Sequence, residues 1–263
     1  KLFMGGFIPG ILMGLGLIAY SMYIAAKRGY PAAEATTGRQ KWKLFTDASW
    51  GLMTPVIILV GIFSGFFTPS EAAAIAVDYS LLVAFFVYKT MNFKKLYNLV
   101  VGAGVTSALI MFIIATSKLF GWGLAFYEIP EAVARALLAL AGGNTALIYL
   151  MIIVIVLLAG MFMETASALI ILTPIFIPTV MQVGGNLIHF GVLLAVGLAI
   201  GMATPPVAID IYVASAITGL PMEQISKPII PMVLVLIAVL LLVTYVPSII
   251  LSLPLLVWGP GGI

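Results

Sequence analysis

The chain has 263 residues, of which 63% are hydrophobic and 8% charged, and its formal net charge is +3. A soluble domain of this size would carry about a quarter charged residues, so the composition excludes a soluble protein, and the small net charge argues against nucleic-acid binding. Several apolar runs of about 18 residues or more predict an all-α integral membrane protein. The chain has no cysteine, and its one histidine, His189, lies in a predicted loop. Thiol-ligated metals and histidine acid–base chemistry are therefore not expected.

The first predicted span runs from Phe3 to about Ala25 and is interrupted by Pro9. A polar loop from Lys27 to Lys43 follows, with five basic residues and one acidic residue. Because short basic loops stay in the cytoplasm, this loop is predicted to be cytoplasmic.

Two apolar stretches then lie between residues 50 and 88, and a second basic stretch begins at Lys89. Both ends of this segment are therefore predicted to be cytoplasmic, so the chain enters the membrane and returns. Thr68 and Glu71 form the pattern of a capping box between the two stretches. We interpret Glu71 as a helix-start carboxylate rather than an ion ligand, and Asp78 as an acid in the return helix whose role stays open.

The next predicted span runs from Leu99 to about Tyr127 and contains Lys118. Snorkelling to the outer interface explains this lysine, and contact with an anionic substrate is the alternative. Residues 129–140 have an amphipathic pattern, which predicts an interfacial helix on the outer side of the membrane.

The following region, residues 146–219, contains two interruptions inside apolar sequence. The first is a polar stretch at 160–167, and the second is the run from Gly201 to Pro206. Two prolines remove backbone donors and clash with the preceding turn. The helix is therefore predicted to end near Met202 and to restart at the proline pair, with Thr204 as its cap and Pro205 as its first residue.

A cytoplasmic Lys227 completes the predicted topology. The segment 188–219 then crosses the membrane once as a broken helix, and 146–181 enters and leaves on the outer side as a re-entrant hairpin with its tip at 164–167. A short amphipathic turn at 220–227 leads into a last span from Pro228 to about Trp258.

Irregular backbone at membrane depth is tolerated where it lines a protein-enclosed site, such as the ion and substrate site of a transporter. Carbonyl ends of helices suit a small cation, and amino ends suit an anion. Local capping explains each polar residue equally well when it is taken singly, but the two paired breaks favour a site. The predicted sodium ligands are Gly160, Glu164, Thr165, Gly201, Ala203, Thr204 and Asp210, and the predicted substrate contacts are Ser167, Pro205 and Pro206.

Six motifs in order along the chain resemble the large membrane subunit of tripartite ATP-independent periplasmic (TRAP) transporters. The resemblance implies an elevator-type fold of the ion-transporter superfamily, located in the inner membrane of a bacterium or archaeon. It also implies sodium-driven uptake of a small organic anion, with no further cofactor. The implied partners are a periplasmic substrate-binding protein and a small membrane subunit, separate or fused. The motifs are 65–74, 119–122, 160–164, 171–174, 200–206 and 212–215.

Large subunits of that family are longer and have two inverted halves. This chain, which begins with Lys1 inside apolar sequence, is expected to be the carboxyl-terminal half and the span before it. The resemblance implies a scaffold at 1–145, a transport core at 146–219, and a cytoplasmic-side turn with a last span at 220–263. The chain departs from the family pattern at Glu164–Thr165, where the family has an aspartate–proline pair, and at Asp210, where asparagine is common.

Four other functions compete with this interpretation. A sodium–anion carrier that needs no binding protein would differ only in its partners, and a channel would not require two facing breaks. An intramembrane enzyme would need a nucleophile or metal set that the residues do not supply, so the chain is predicted not to be an enzyme. A structural subunit would be expected to have continuous helices. The substrate stays open among sialic acid, a C4-dicarboxylate and a sulfonate.

Overall fold

The computed structural model describes residues 1–29, 37–205 and 209–259, and within these ranges it is helical without strands. Seven helical segments are long and apolar enough to cross a membrane, which confirms the all-α integral membrane prediction. A π-helical turn at Val83–Val87 continues α3. The helices are α1 (Leu2–Arg28), α2 (Gly38–Phe63), α3 (Pro69–Leu82), α4 (Phe93–Phe126), α5 (Ile129–Ala141), α6 (Thr145–Phe162), α7 (Thr165–Gln182), α8 (Leu187–Met202), α9 (Ile209–Thr218), α10 (Met222–Tyr245) and α11 (Pro247–Trp258).

Side-chain caps fix several helix starts. The Thr68 hydroxyl accepts a hydrogen bond from Glu71 N (3.3 Å), and the Glu71 carboxylate accepts one from Thr68 N (2.8 Å). This is the predicted capping box at the start of α3. Asn144 and Asn186 cap α6 and α8 without a reciprocal bond, because each side-chain oxygen accepts from two amides of the first turn. Local sequence chemistry thus sets these boundaries.

Three predicted boundaries were wrong. Helix α1 continues through Pro9, and α10 starts at Met222 and continues through Pro228 and Pro231. Prolines are tolerated inside membrane helices because neighbouring helices and small local adjustments satisfy the freed carbonyls. The last predicted span is in fact two helices, because Val246 is held in an extended conformation (φ −121°, ψ 75°) before Pro247.

The predicted polar loop between the first two spans is also shorter than expected. Helix α2 begins at Gly38, where Thr37 and Gln40 form a second capping box. The basic residues Arg39, Lys41 and Lys43 are therefore helical, and their predicted position in the loop was wrong. Residues 30–36 lie outside the described ranges.

The chain forms two compact units, Lys1–Gly29 with Met111–Ile263, and Tyr30–Ile110. Within Tyr30–Ile110, α2 and α3 pair in an antiparallel manner. The Tyr79 hydroxyl donates to the Trp50 carbonyl (2.9 Å), and the Tyr88 hydroxyl donates to the Asp47 carbonyl (2.7 Å).

In the larger unit, α8 is the central helix and is buried on two faces. Leu194 and Leu198 on one face belong to a core cluster with α5, α6 and α7. Leu193 and Ile200 belong to a second cluster with α6, α10 and α11. An apolar helix without a polar face is expected at the centre of such a bundle.

His189 lies in α8, and its side chain is 2% exposed. Its prediction as a loop residue was therefore wrong. The Nε2 atom lies 3.1 Å from the Val243 carbonyl oxygen near the end of α10. The reason for the error is that Asn186 caps the helix only three residues earlier, so the glycine-rich turn is shorter than the sequence pattern indicates.

Candidate functional site

The predicted hairpin turn lies between α6 and α7. The Met163 amide closes α6 by donating to the Ala159 carbonyl (2.8 Å), and Met163 itself is extended (φ −118°, ψ 146°). Glu164 then caps α7, since its carboxylate accepts hydrogen bonds from Ala166 N (2.9 Å) and Ser167 N (3.1 Å). The break predicted within 160–167 is present, and two residues suffice to make it.

The first half of the predicted broken helix is α8, and it ends at Met202 as predicted. Its last turn is tightened, because the amides of Ala203 and Thr204 donate to the carbonyls of Ile200 (3.2 Å) and Gly201 (2.8 Å). Such three-residue bonds are common where an α-helix ends, and they satisfy carbonyls that the helix itself leaves open.

The Thr204 hydroxyl points back into α8 and donates to the Ile200 carbonyl (2.7 Å). Thr204 was also predicted to cap the restarting helix, but the amides concerned belong to residues 206–208, which lie outside the described residues. The predicted substrate contact Pro206 lies outside them too. Pro205 is half-buried directly after Thr204. The next described helix, α9, begins at Ile209.

Helices α6 and α8 run parallel, and this brings their carboxyl ends together. At their starts the rings of Tyr149 and His189 are 5.5 Å apart. At their ends Gly160 and Gly201 meet backbone to backbone, since a Cβ atom built on Gly201 would lie 2.6 Å from Gly160 Cα. Small residues permit this approach. The Thr165 hydroxyl at the start of α7 also donates to the Met202 sulfur.

The end of α8 lies beside the inner part of α10. The two helices are antiparallel, since His189 near the start of α8 lies 3.1 Å from the Val243 carbonyl near the end of α10. Ile200 is about 16 Å farther along α8, at 1.5 Å per residue, so it lies about as far back along α10, a helix of 24 residues. The ends of α6 and α8 are therefore away from both ends of α10, which is long and apolar enough to span a membrane.

The structure brings together six of the seven predicted sodium ligands, all except Asp210. Gly160, Glu164 and Thr165 lie at the hairpin turn, and Gly201 to Thr204 lie at the adjoining end of α8. The Gly201 carbonyl accepts from Thr204 N. The Gly160 carbonyl accepts no hydrogen bond within α6, because the helix ends two residues later and the donor four residues on lies outside it. Ala203 follows the end of α8 and completes this group.

The two acidic predicted ligands, Glu164 and Asp210, differ in what they contact. The Glu164 carboxylate is turned toward the amides of its own helix, and the predicted substrate contact Ser167 donates its amide and its hydroxyl (3.3 Å) to that carboxylate. Asp210 is exposed in the first turn of α9 and forms no hydrogen bond or ion pair with other described residues. Whether either binds sodium stays a prediction.

Two features of this region were not predicted, the contact of Met202 and the cavity at the opposite end of α6. The Met202 sulfur ties α8 to the hairpin, but no pattern distinguishes it from a core methionine. At the starts of α6 and α8 a cavity of about 450 Å³ is lined by Tyr149, Asn186, His189 and Thr244, among others. The pairing of Tyr149 with His189 depends on tertiary packing, which no local sequence pattern indicates.

Two other singled-out residues lie away from the breaks. Glu71 is a helix cap, in agreement with its interpretation. Lys118 is exposed in α4 and forms no ion pair among the described residues, so snorkelling and substrate contact both stay open. Asp78 is exposed in α3.

Residues 1–249 match the family described as "Tripartite ATP-independent periplasmic transporter, DctM component". The chain is 42% identical to the isethionate TRAP transporter permease protein DctMQ of Oleidesulfovibrio alaskensis, over 95% of this chain and 39% of that protein. It is 38% identical to the C4-dicarboxylate TRAP transporter large permease protein DctM of Pseudomonas aeruginosa, over 97% of this chain and 59% of that protein. It is 34% identical to the sialic acid TRAP transporter large permease protein SiaM of Vibrio cholerae, over 99% of this chain and 61% of that protein.

The chain thus spans between 39% and 61% of the length of these relatives. The relatives are permeases and not enzymes, which agrees with the prediction for this chain. The chain is a multi-pass protein of the inner membrane, also as predicted. The matched residues include the turn between α6 and α7, the end of α8, and every predicted site residue. The chain therefore belongs to the DctM component family of tripartite ATP-independent periplasmic transporters.

Proposed function

We propose that this chain is the part of a large TRAP permease subunit that couples sodium entry to the uptake of a small organic acid anion. The observation that carries the proposal is the meeting of the carboxyl ends of α6 and α8 beside the inner part of α10. Gly160 of α6 and Gly201 of α8 are in backbone contact where both helices end. Broken helices that meet near the midplane are the usual construction of substrate and ion sites in secondary transporters.

The chemistry of these ends suits a small cation. Because α6 and α8 are parallel, the partial negative charges of their carboxyl ends add at one place. Open carbonyls such as that of Gly160, with the hydroxyls of Thr165 and Thr204 beside them, provide oxygen ligands of the kind that hard cations require. In this proposal Ala203 and Gly201 supply further carbonyls, and Glu164 and Asp210 supply negative charge.

The amino end of α7 suits an anion, but Glu164 now occupies it. Its carboxylate accepts from the amides of Ala166 and Ser167, which are the donors that a substrate carboxylate would use. In this proposal a bound sodium ion draws Glu164 toward the carbonyl ends, and the freed α7 amides then bind the substrate beside Pro205 and Pro206. Sodium would thereby raise the affinity for substrate.

The proposal includes the transport cycle and the partners. An elevator movement would carry the hairpin and broken helix across a fixed scaffold, and a periplasmic binding protein would deliver the substrate. The second membrane partner is a small subunit, separate or fused. Three relatives are named for isethionate, C4-dicarboxylates and sialic acid at 34–42% identity. These identities are too similar to select a substrate, so all three must be tested.

The test is uptake of each radiolabelled acid by the full-length transporter in proteoliposomes, with its small subunit and binding protein, with and without an inward sodium gradient. We expect uptake of one acid that requires the gradient. Thr204→Ala should raise the sodium concentration for half-maximal uptake about fivefold, the effect of losing one hydrogen-bond-sized interaction. Asp210→Ala should raise it as well.

Ser226→Ala is the matched control, because the Ser226 hydroxyl donates to the Met222 carbonyl at 2.7 Å in α10, as Thr204 does to Ile200 in α8. It should leave the sodium dependence unchanged. Sodium-independent uptake, or equal effects of Thr204→Ala and Ser226→Ala, would refute the ion site. Uptake without the binding protein would favour the carrier alternative, and passive flux would favour a channel.

A further inference from the structure

Six basic side chains lie at one end of the unit formed by Tyr30–Ile110. We call this group the basic end. Helices α2 and α3 are antiparallel, and the Tyr88 hydroxyl is bonded to the Asp47 carbonyl (2.7 Å). Residues before Asp47 and the turn after Tyr88 therefore lie at the same end of the helix pair. In that turn the amides of Thr90 and Met91 donate to the Ala84 carbonyl (3.0 and 3.3 Å). The basic end consists of Arg39, Lys41 and Lys43 in α2, and Lys89, Lys94 and Lys95 at the connection from α3 to α4.

The connection is held in place by its own contacts. Asn92 accepts a hydrogen bond from Lys95 N (2.8 Å), and the Lys95 ammonium donates to the Thr90 carbonyl (2.9 Å). The ring of Phe93 lies 5.8 Å from the ring of Phe85. The lysines of this connection therefore have a fixed position beside the end of α3.

The positive charge of the basic end is not neutralised by the described residues. None of its six side chains forms an ion pair with any of them. The carboxylates between residues 37 and 110 are those of Asp47, Glu71 and Asp78, and Glu71 is engaged with Thr68. Arg39 and Lys43 are four residues apart on one helix face, where like charges repel each other. A bound anion would remove this repulsion.

Exposed aromatic side chains stand among these charges. Trp42 is 69% exposed and Phe45 57% exposed, and their rings stack at 6.0 Å. At the start of α4, Phe93 is 83% and Tyr97 69% exposed. Aromatic rings beside basic residues at the end of a span are typical of the membrane–water interface, where the rings insert among lipids.

A concave surface along the first turns of α2 combines two of these basic side chains with one of the rings. It encloses about 580 Å³ and is lined by Thr37, Arg39, Gln40, Trp42, Lys43 and Thr46. Two cations, the Thr37 hydroxyl and the Gln40 amide can donate to phosphate oxygens, whereas the Thr46 hydroxyl already donates to the Lys43 carbonyl (2.8 Å). The tryptophan ring provides an apolar side for a glycerol backbone or acyl chain.

We propose that the basic end is a binding site for anionic phospholipid headgroups. It continues directly into α2 and α4, which are apolar enough to span a membrane, so a lipid phosphate can reach the cations while its chains follow the helices. Clusters of four to eight basic residues next to a span bind anionic lipids in this way. A soluble anion would use the charges alone and leave the four rings unexplained. This proposal does not depend on the transport function.

The test measures lipid binding to the full-length protein in detergent by native mass spectrometry. Phosphatidylglycerol and phosphatidylcholine are titrated separately, and we expect the protein to prefer the anionic lipid by at least about tenfold. Two charge-removing triple variants should each lower the affinity for phosphatidylglycerol at least about fivefold and leave that for phosphatidylcholine unchanged. They are Arg39→Gln/Lys41→Gln/Lys43→Gln and Lys89→Gln/Lys94→Gln/Lys95→Gln.

Two control variants distinguish loss of the binding site from a general loss of positive charge and from misfolding. Lys118→Gln/Arg135→Gln/Lys227→Gln removes three exposed charges elsewhere and should bind phosphatidylglycerol like the wild type. Arg39→Lys/Lys41→Arg/Lys43→Arg keeps the charges and should bind normally. Equal losses in the first control, or wild-type binding by both charge-removing variants, would overturn the proposal. So would competition by glycerol 3-phosphate or a polyglutamate peptide at the concentration of the lipid, since it would show a site for soluble anions or acidic protein.

Discussion

The hairpin region and the α2–α3 pair join their helices by different means. Helices α6 and α8 meet through backbone contact at Gly160 and Gly201. Between α2 and α3 the hydrogen bonds come from side-chain hydroxyls, chiefly those of Tyr79 and Tyr88, and the buried residues are small ones such as Ala72 and Ala76. Burial differs as well. In the apolar 18-residue stretch that could cross the membrane, 33% of the residues are buried in α6 but only 6% in α2.

The difference reflects how helices associate in lipid. Lipid tails are as apolar as leucine, so apolar burial drives little association there, and close packing of small residues or interhelical hydrogen bonds must supply it. Close packing holds two backbones in one relative position, which an ion site built from carbonyls requires. Hydroxyl bonds hold α2 and α3 at a few points and leave most of their surfaces uncovered.

The largest expected effect comes from a methyl group at the glycine contact. In Gly201→Ala the new Cβ would lie 2.6 Å from Gly160 Cα and 2.8 Å from the Leu157 carbonyl oxygen. Because these neighbours are backbone atoms, α6 and α8 must separate, and the free energy of unfolding should fall by about 2–3 kcal/mol. Unfolding of the full-length protein in mixed detergent–SDS micelles measures this.

Gly104→Ala is the control for that substitution. A Cβ atom there has nothing within 4 Å, so it should change stability by less than about 1 kcal/mol, in the stabilising direction given by helix propensity. Equal stability of the two variants would show that the glycine contact does not hold α6 against α8.

A smaller effect is expected from removing the hydroxyls that join α2 to α3. Tyr79→Phe and Tyr88→Phe should each cost about 0.6–1 kcal/mol. Hydrogen exchange followed by mass spectrometry should show faster exchange in α2 and α3 and unchanged exchange in α6, α7 and α8. Tyr97→Phe is the control, since its exposed hydroxyl has no hydrogen bond among the described residues. Faster exchange in the hairpin instead would contradict the comparison.

The smallest effect should come from the hairpin cap. Glu164→Ala removes the acceptor for Ala166 N and Ser167 N, at a cost of about 0.5–1 kcal/mol. Exchange at the first amides of α7 should rise. Glu223→Ala removes a first-turn carboxylate of α10 that accepts no such bond, and it should change stability by about 0.3 kcal/mol. If Glu164→Ala leaves hydrogen exchange in α7 unchanged, Glu164 does not stabilise the start of α7 any more than Glu223 stabilises the start of α10.

Local sequence chemistry determined much of the fold. The apolar runs identified the spans, and caps such as Thr68 with Glu71 fixed helix starts within a residue. The break between α6 and α7 and the end of α8 at Met202 were also predicted. These features depend on a residue and its neighbours within one turn, so no partner helix is needed to specify them.

Tertiary structure decided the rest. Helix α10 continues through Pro228 because neighbouring helices support it, and His189 is a core residue because α10 offers it a carbonyl. Helix α5, predicted as interfacial, packs along α7 with Leu137 in the core cluster. The sequence by itself thus determined where the helices break. Which breaks meet was decided by the parallel packing of α6 on α8 at Gly160 and Gly201, a contact between residues 41 positions apart that no local pattern encodes.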